Sequence, residues 1–114
     1  MRQATAAAAT VGATVDYETP TSMIAAQLNE EATGLLTESI KKVLRKSGCT
    51  APIYTPGGED FFFYTDYKPG LKAGFFGLGY DLQPGLHHPD MHFNVNSLEN
   101  GVQIFLTLLG KLIS

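Results

Sequence analysis

The sequence predicts an α/β fold, and two observations lead to this class. Segments with helical spacing of apolar residues alternate with short apolar segments in the order helix, strand, helix, strand, short helix, strand, helix. The 114 residues are 44% hydrophobic and 17% charged, which is an ordinary composition for one small globular domain.

Helix formers, helix terminators and alternating side chains define the first half of the chain. Residues 2–12 are rich in alanine and end in glycine, which predicts a helix. Apolar and acidic side chains alternate in Ala13–Thr19, which predicts a strand before a proline. A linker over Thr21–Leu28 leads to Asn29, a good N-cap for a helix that stops at Gly48. The apolar stripe of this helix is predicted to comprise Ala32, Leu35, Leu36, Ile40, Val43 and Leu44.

The second half is predicted to contain two short strands and two helices. Ala51–Tyr54 is a strand candidate, and residues 59–67 favour a short helix. Leu71–Leu78 is mostly apolar with glycines at both ends, which predicts a buried strand, and residues 79–92 are predicted to be loop. Asn96 is predicted to cap a final helix, with Glu99 completing a capping box. The inner face predicted for this helix comprises Leu98, Val102, Phe105, Leu106, Leu109 and Ile113.

This set of elements is unbalanced. Three short strands would have to cover several apolar helix faces, whereas a complete sheet normally has more strands. The first helix and strand are also separated from the rest by the linker. We therefore expect the chain to be the tail of a larger protein.

Composition excludes several classes of protein. The net charge is −3, and the only basic cluster, Lys41–Lys46, suits a solvated helix end better than a nucleic-acid interface. Cys49 is the only cysteine, which excludes an internal disulfide framework and fits a cytoplasmic protein. No apolar run reaches the roughly 18 residues that indicate a membrane span.

The first candidate site is the segment Gly57, Gly58, Glu59 and Asp60. Glycines let a backbone approach a ligand closely, and the carboxylates could orient a substrate, support a metal ligand or transfer a proton. The alternative, which local sequence favours, is a loop followed by a helix start with acidic residues in its first turn.

The second candidate site is the pair His87 and His88 before Pro89. Neutral imidazole is a common metal ligand. Adjacent side chains of an extended backbone point to opposite sides, so we expect one histidine at most to bind a given ion. A histidine in a loop is more often simply exposed or hydrogen-bonded. The neighbouring aromatic run Phe61–Tyr64 predicts core packing, with a wall for an acyl or aryl group as the alternative.

Three motifs together carry a family resemblance. Their order is Gly-Gly-Glu-Asp-Phe (57–61), Phe-Phe-Gly-Leu-Gly (75–79) and Gly-Leu-His-His-Pro-Asp-Met-His-Phe-Asn (85–94), followed by an amphipathic helix. This order resembles the C-terminal end of the zinc-dependent amidohydrolases, the aminoacylase, hippurate hydrolase and carboxypeptidase G group of metallopeptidase-like enzymes. The resemblance implies part of a three-layer α/β/α catalytic domain over residues 23–114. Residues 1–22 would be the helix-strand remnant of a lid or dimerisation domain.

The resemblance also implies a chemistry. Members of the group hydrolyse N-acyl amino acids or small peptides with water activated by two divalent ions, usually zinc. They are expected to be homodimers. The last metal-binding histidine of the family falls on His87, whereas His88 falls on a variable position. Gly57, Gly58, Glu59 and Asp60 match the segment beside the active site.

The remaining metal ligands of the family lie upstream of the matched segments. A single histidine cannot build a two-metal site, so we expect this polypeptide alone to be inactive. The alternative function is a non-catalytic α/β module that binds a partner or associates with itself through exposed apolar faces.

Overall fold

The computed structural model describes residues 2–113 and contains helices, turns and extended segments. The helices are α1 (Arg2–Ala9), α2 (Glu30–Leu44), α3 (Phe63–Tyr67) and α4 (Leu98–Leu112). Single 3-10 turns cover Lys46–Gly48, Asp60–Phe62 and Val95–Ser97. Between residues 2 and 113, the β pairing is limited to one isolated antiparallel bridge between Gln83 and His92.

The predicted α/β fold with a partial three-layer sheet is therefore wrong for this chain. The described residues are 46% helical with only 2% strand, and no sheet forms among them. The segments predicted as strands, Ala13–Thr19, Ala51–Tyr54 and Leu71–Leu78, have no strand partner. The physical reason is that alternation of side chains specifies an extended backbone, whereas a strand also needs a second segment to accept its hydrogen bonds.

Helix α2 begins where its cap residue predicts. The backbone N–H of Ala32 donates to Asn29 Oδ1 at 3.0 Å, and Glu30 and Glu31 occupy the first turn. The negative charges of these side chains interact favourably with the positive, N-terminal end of the helix dipole. The α-helix ends at Leu44, and a 3-10 turn continues the chain to Gly48. The predicted helix is thus confirmed up to Leu44, whereas its predicted end at Gly48 is wrong, because the backbone of Arg45 (φ +61°) breaks the helix before the separate 3-10 turn.

The core lies between α2 and α4. On α2 the buried residues are Leu36 and Ser39, and on α4 they are Gly101 and Ile104. Ile104 is only 1% exposed. The hydroxyl of the fully buried Ser39 donates to the backbone carbonyl of Leu35 at 2.8 Å, which satisfies a group that would be costly to bury unpaired.

The face of α4 that is buried differs from the predicted one. Val102, Leu106 and Leu109 are 56%, 57% and 52% exposed. The helix has apolar residues on most of its sides, so helical spacing alone could not select the contact face. Gly101 has no side chain and lets neighbouring atoms approach there, since an added Cβ would lie 3.1 Å from Leu78 Cδ2.

The start of α4 also differs from the prediction. Asn94, not Asn96, accepts a backbone hydrogen bond, which comes from the N–H of Asn96 at 3.1 Å and opens the 3-10 turn. The α-helix itself starts at Leu98 without a capping side chain. Because the turn precedes the helix, the expected capping box between Asn96 and Glu99 does not form.

The segment 71–80 lies across both helices of the pair. Ala73 is buried, and its carbonyl accepts from the backbone N–H of Asn29 at 2.8 Å. A Cβ added at Gly74 would lie 2.6 Å from Leu36 Cδ1, so a larger residue there would collide with α2. The segment therefore covers one side of the helix pair.

The N-terminal region makes a smaller contribution to the core. Helix α1 confirms the predicted helix but ends at Ala9, and none of its residues is buried. The Thr5 hydroxyl lies 3.0 Å from the Tyr17 hydroxyl, which joins α1 to the segment that follows. The division into residues 1–22 and 23–114 remains a prediction. Met1 and Ser114, at the ends of these ranges, lie outside the described residues.

The chain is much more open than a compact domain of its length. Its radius of gyration is 20.5 Å, whereas a compact chain of this size has about 13 Å. Among the described residues, no helix is both long and apolar enough to cross a membrane. Because the chain is open, large apolar side chains are exposed along α4 and in the loops.

An exposed ion pair also joins the two main helices. Lys111 Nζ on α4 donates to Glu38 Oε2 on α2 at 2.7 Å. This hydrogen bond and the charge of Lys111, with a smaller contribution from Lys41, lower the pKa of Glu38 below its usual value. The pair is solvent-exposed, so its contribution to stability is small and sensitive to salt.

We predict that Ile104→Ala lowers the free energy of unfolding by about 2–5 kcal/mol, because it opens a cavity between α2 and α4. The matched variant Leu109→Ala, on the exposed face, should change it by no more than about 0.5 kcal/mol. Urea unfolding followed by circular dichroism measures both. A larger loss for Leu109→Ala would show that the other face of α4 is the buried one.

The Glu38–Lys111 pair predicts a dependence of stability on pH. Because the pKa of Glu38 is lowered on folding, its stabilisation is present above the usual glutamate pKa and is lost as pH falls through the lowered value. Glu38→Gln should therefore destabilise the protein at neutral pH and have no effect in strong acid. Urea unfolding at both pH values measures this, and a double-mutant cycle with Lys111→Met isolates the pair. An undiminished effect of Glu38→Gln in strong acid or in high salt would contradict it.

Candidate metal-ligand loop and aromatic groove

A closed loop carries the predicted histidine pair. The bridge joins Gln83 and His92 by two backbone hydrogen bonds, at 3.0 Å from Gln83 N and 2.9 Å from His92 N. Just outside the bridge, the rings of Tyr80 and Phe93 meet edge to face with centroids 5.3 Å apart. The loop that was predicted for residues 79–92 is thus present and is held at its base.

His87 has a left-handed backbone, as does Asp81 (φ +53°) earlier in the 79–92 loop. Its φ is +65°, in the left-handed region that costs free energy for a residue with a Cβ. The residue is exposed, and its imidazole makes no hydrogen bond to any residue between 2 and 113. Strained residues of this kind cluster at functional sites. The backbone is not extended here, so the sequence argument from opposite side-chain directions does not apply.

His88 is held differently from its neighbour. Its Nδ1 accepts the backbone N–H of Asp90 at 3.1 Å and lies 3.9 Å from Asp90 Oδ2. The backbone N–H of Met91 also donates to the carbonyl of His88 at 3.1 Å. One nitrogen of the His88 ring is therefore occupied in forming the turn, whereas both nitrogens of His87 are available.

Sequence reasoning did not single out the third histidine of the loop. His92 Nδ1 lies 3.1 Å from the carbonyl oxygen of Asp90. A carbonyl only accepts hydrogen bonds, so Nδ1 carries the proton and Nε2 keeps its lone pair. A backbone carbonyl orients many metal-binding histidines in this way. The sequence signal that could have identified His92 is its position in the same loop, five residues after His87.

The segment Gly57–Asp60 is exposed and is shaped by local contacts. The N–H of Gly57 donates to Thr55 Oγ1 at 3.1 Å. A Cβ added at Gly58 would lie 2.3 Å from Met23 Cγ, so the close approach that requires glycine is to a methionine side chain. Glu59 precedes the 3-10 turn that Asp60 opens. This is the helix-start geometry that the local sequence favours, and the substrate-side role of these residues stays a prediction.

The aromatic run forms both core and groove. Phe62 is buried, while Tyr64 and Tyr67 are exposed. The rings of Phe61 and Tyr64 are 6.0 Å apart, and those of Phe63 and Tyr67 are 6.4 Å apart. An open groove of about 640 Å³ is lined by these four exposed or half-buried rings together with Thr21, Ser22 and Asp60. Core packing thus accounts for Phe62, and the other rings supply an accessible apolar wall.

A metal centre requires several ligands, and the described part of the chain does not provide them together. Nowhere in residues 2–113 do three histidine, cysteine, aspartate or glutamate side chains converge in a way that could hold an ion. His87, His88 and Asp90 thus form no such group despite their proximity in sequence. Residues 2–113 by themselves do not fit a metal site.

The hydrogen bonds in the loop predict the tautomers of two neutral histidines. His88 should carry its proton on Nε2, because its Nδ1 accepts from Asp90 N–H, and His92 should carry its proton on Nδ1. Long-range ¹H–¹⁵N correlation spectra above the histidine pKa distinguish the two forms. His88→Ala and His92→Ala assign the signals. The same tautomer for both rings would contradict this geometry of the loop.

The comparison with protein families gives a match over nearly the whole chain. The model of peptidase family M20/M25/M40 matches residues 3–111. Members of this family are generally metal-dependent hydrolases of the peptidase and amidohydrolase type. No curated protein and no solved structure matches the chain. Because the family match spans far more than half of the sequence, the chain belongs to peptidase family M20/M25/M40.

Proposed function

We propose that this chain is the C-terminal portion of a metal-dependent amidohydrolase that cleaves N-acyl amino acids. The observation that carries the proposal is the family match over residues 3–111, which includes all three motifs of the resemblance. Within the family, the order of these motifs favours the aminoacylase, hippurate hydrolase and carboxypeptidase G group. The substrate would be an N-acyl amino acid or a small peptide.

His87 is the proposed metal ligand of this portion. Its exposed ring has no hydrogen-bond partner among the described residues, and its backbone is held at φ +65° in a loop closed by the Gln83–His92 bridge. His88 has one ring nitrogen committed to Asp90, which agrees with its position being variable in the resembling enzymes. The geometry thus favours His87 over its neighbour.

The other ligands of the proposed metal site would come from further polypeptide. A single histidine leaves most coordination positions of an ion unfilled, and residues 2–113 bring no third ligand to it. The complete enzyme would use divalent ions, of which two zinc ions are the proposal, and such ions supply Lewis acidity. We therefore expect no catalysis by this chain alone.

The substrate side of the proposed site is the segment Gly57–Asp60 with the adjoining aromatic groove. Asp60 belongs to both, because it opens the 3-10 turn and lines the groove. The exposed rings of Tyr64 and Tyr67 offer an apolar wall of the kind that suits an acyl or aryl group. Glu59 and Asp60 would contribute polar contacts near the reacting amide.

The two proposed domains fit the distribution of packing along the chain. No residue of α1 is buried, whereas α2 and α4 share the core. Residues 1–22 would accordingly be the end of a lid or dimerisation domain, and residues 23–114 the end of the catalytic domain. The complete enzyme would be a cytoplasmic homodimer.

A second candidate function is supported by the exposed apolar face of α4. Val102, Leu106 and Leu109 are each more than half exposed, and such patches commonly mark interaction surfaces. On this account the chain would be a non-catalytic helical module that binds a partner or associates with itself. Hydrolytic activity in a longer polypeptide distinguishes the two functions.

We predict that the purified chain does not hydrolyse N-acetyl or N-benzoyl amino acids, even with zinc, cobalt or manganese added. A longer polypeptide, encoded in frame upstream of Met1 and carrying the other ligands, should do so. In that enzyme His87→Ala should lower kcat/KM by at least about 100-fold, since even residues that only support a ligand commonly cost 10–100-fold.

The matched control is His88→Ala, which removes the adjacent imidazole and should retain most of the activity. Metal content should fall in the His87 variant and stay normal in the control. Turnover by the chain alone, or full activity of His87→Ala in the longer enzyme, would contradict the proposal.

A further inference from the structure

The aromatic groove combines several rings with a single carboxylate. This groove of about 640 Å³ is lined by side chains from residues 60–67 and by the hydroxyl-bearing Thr21 and Ser22 of the linker. Among the described residues that line it, Asp60 is the only charged one. The lining therefore offers apolar contact, two hydroxyl groups and one negative charge to a ligand.

Helical spacing brings the carboxylate and the rings together. The 3-10 turn that starts at Asp60 runs directly into α3. Phe63, Tyr64 and Tyr67 follow Asp60 by three, four and seven residues. Side chains at this spacing lie on one face of a helical segment, so the negative charge and the three rings share a side.

The inner wall of the groove is anchored in the core. Phe61 packs edge to face on the buried Phe62 with ring centroids 5.5 Å apart, and its ring lies 5.7 Å from that of Phe75. Tyr64 meets Phe61 edge to face at 6.0 Å but is still 65% exposed. A ligand thus finds positioned rings and needs no rearrangement of the core.

The negative groups of the groove have no cationic partner in the described part of the chain. The carboxylate of Asp60 forms neither an ion pair nor a side-chain hydrogen bond with any residue from 2 to 113. The face of an aromatic ring also carries negative charge, through its quadrupole. The exposed rings of Tyr64 and Tyr67 and the carboxylate therefore act on a ligand in the same sense.

These charges define the class of ligand. Residues 59–67 contain the three acidic residues Glu59, Asp60 and Asp66 and no lysine or arginine, so an anionic group is repelled. A neutral group would contact the rings and leave Asp60 unused. An ammonium that carries methyl groups satisfies both parts, because its methyl groups contact the rings while its charge interacts with their faces and with the carboxylate.

We propose that the aromatic groove binds an alkylated ammonium group, with its methyl groups on Tyr64 and Tyr67 and its charge near Asp60. This ligand class deepens the proposed function and rests on it for the identity of the ligand, which is an N-acyl amino acid whose acyl chain ends in such a group. Glu59, which does not line the groove, is then left for the polar contacts near the amide.

The first test uses the full chain and requires no hydrolysis. Choline is compared with its neutral isostere, in which a tert-butyl group replaces trimethylammonium, by ¹H–¹³C NMR of the aromatic rings at constant ionic strength. Choline should bind about tenfold more tightly and shift the ring signals of Tyr64 and Tyr67. Equal affinities, no binding of choline, or shifts confined to other rings would overturn the proposal.

Variants of exposed residues separate the ring from the charge. Tyr67 is 85% exposed, so Tyr67→Leu should leave the fold intact while it lowers the preference for choline at least about threefold, and Tyr67→Phe should keep the preference. Asp60→Asn should weaken choline and leave the neutral isostere unchanged. The matched control is Tyr54→Leu, which removes a 94% exposed ring outside the groove and should change neither affinity. A preference for choline that survives both Tyr67→Leu and Asp60→Asn would overturn the proposal.

The second test uses the longer enzyme and separates the ligand class from the proposed function. Two N-acylglycines have acyl chains of equal length that end in trimethylammonium or in tert-butyl. The cationic substrate should have a kcat/KM about tenfold higher, and Tyr67→Leu should reduce this ratio. Equal kcat/KM values would overturn the ligand class and leave the hydrolase function intact. Hydrolysis of neither substrate would overturn the hydrolase function, and the substrate class with it, whatever the chain binds.

Discussion

The contact between α2 and α4 is the interaction on which the rest of the structure depends. Ile104 of α4 is buried where this helix packs against α2, whose own buried residues are Leu36 and Ser39, and Ile104 and Ser39 are fully buried among the described residues. The 71–80 segment is positioned by this pair, because Ala73 accepts the hydrogen bond of Asn29 at the start of α2 and Leu78 rests near Gly101. The loop with His87 follows directly, so the helix pair also determines where the candidate ligand lies.

The same contact leaves much apolar surface uncovered. Two helices and one extended segment bury few side chains completely, and the radius of gyration of 20.5 Å reflects this open arrangement. Uncovered apolar faces and unpaired backbone groups both favour association, although they select different partners.

The sequence predicted local features correctly where a side chain interacts with residues that are close to it along the chain. Asn29 capped α2 as expected, and the loop over residues 79–92 was located correctly. The absence of a sheet was not predictable, because the alternation in Ala13–Thr19 and the apolar character of Leu71–Leu78 describe each segment alone and say nothing about a neighbouring strand. The predicted contact face of α4 was also wrong, because apolar residues such as Ile104 and the exposed Val102 occur on most sides of this helix, so helical spacing did not select one side. In the candidate site, the assignment of His87 as a ligand comes from motif order and stays a prediction, whereas the orientation of His92 depends on a carbonyl two residues away that no motif reveals.

The proposed role of His87 is tested most directly by a zinc-edge anomalous diffraction map of the longer enzyme that we propose this chain to be part of. A zinc ion should lie about 2.0–2.1 Å from an imidazole nitrogen of His87, with the ring of His88 outside the coordination sphere. A zinc centre assembled without His87, or one that uses His88 in its place, would rule out the proposed ligand role of His87.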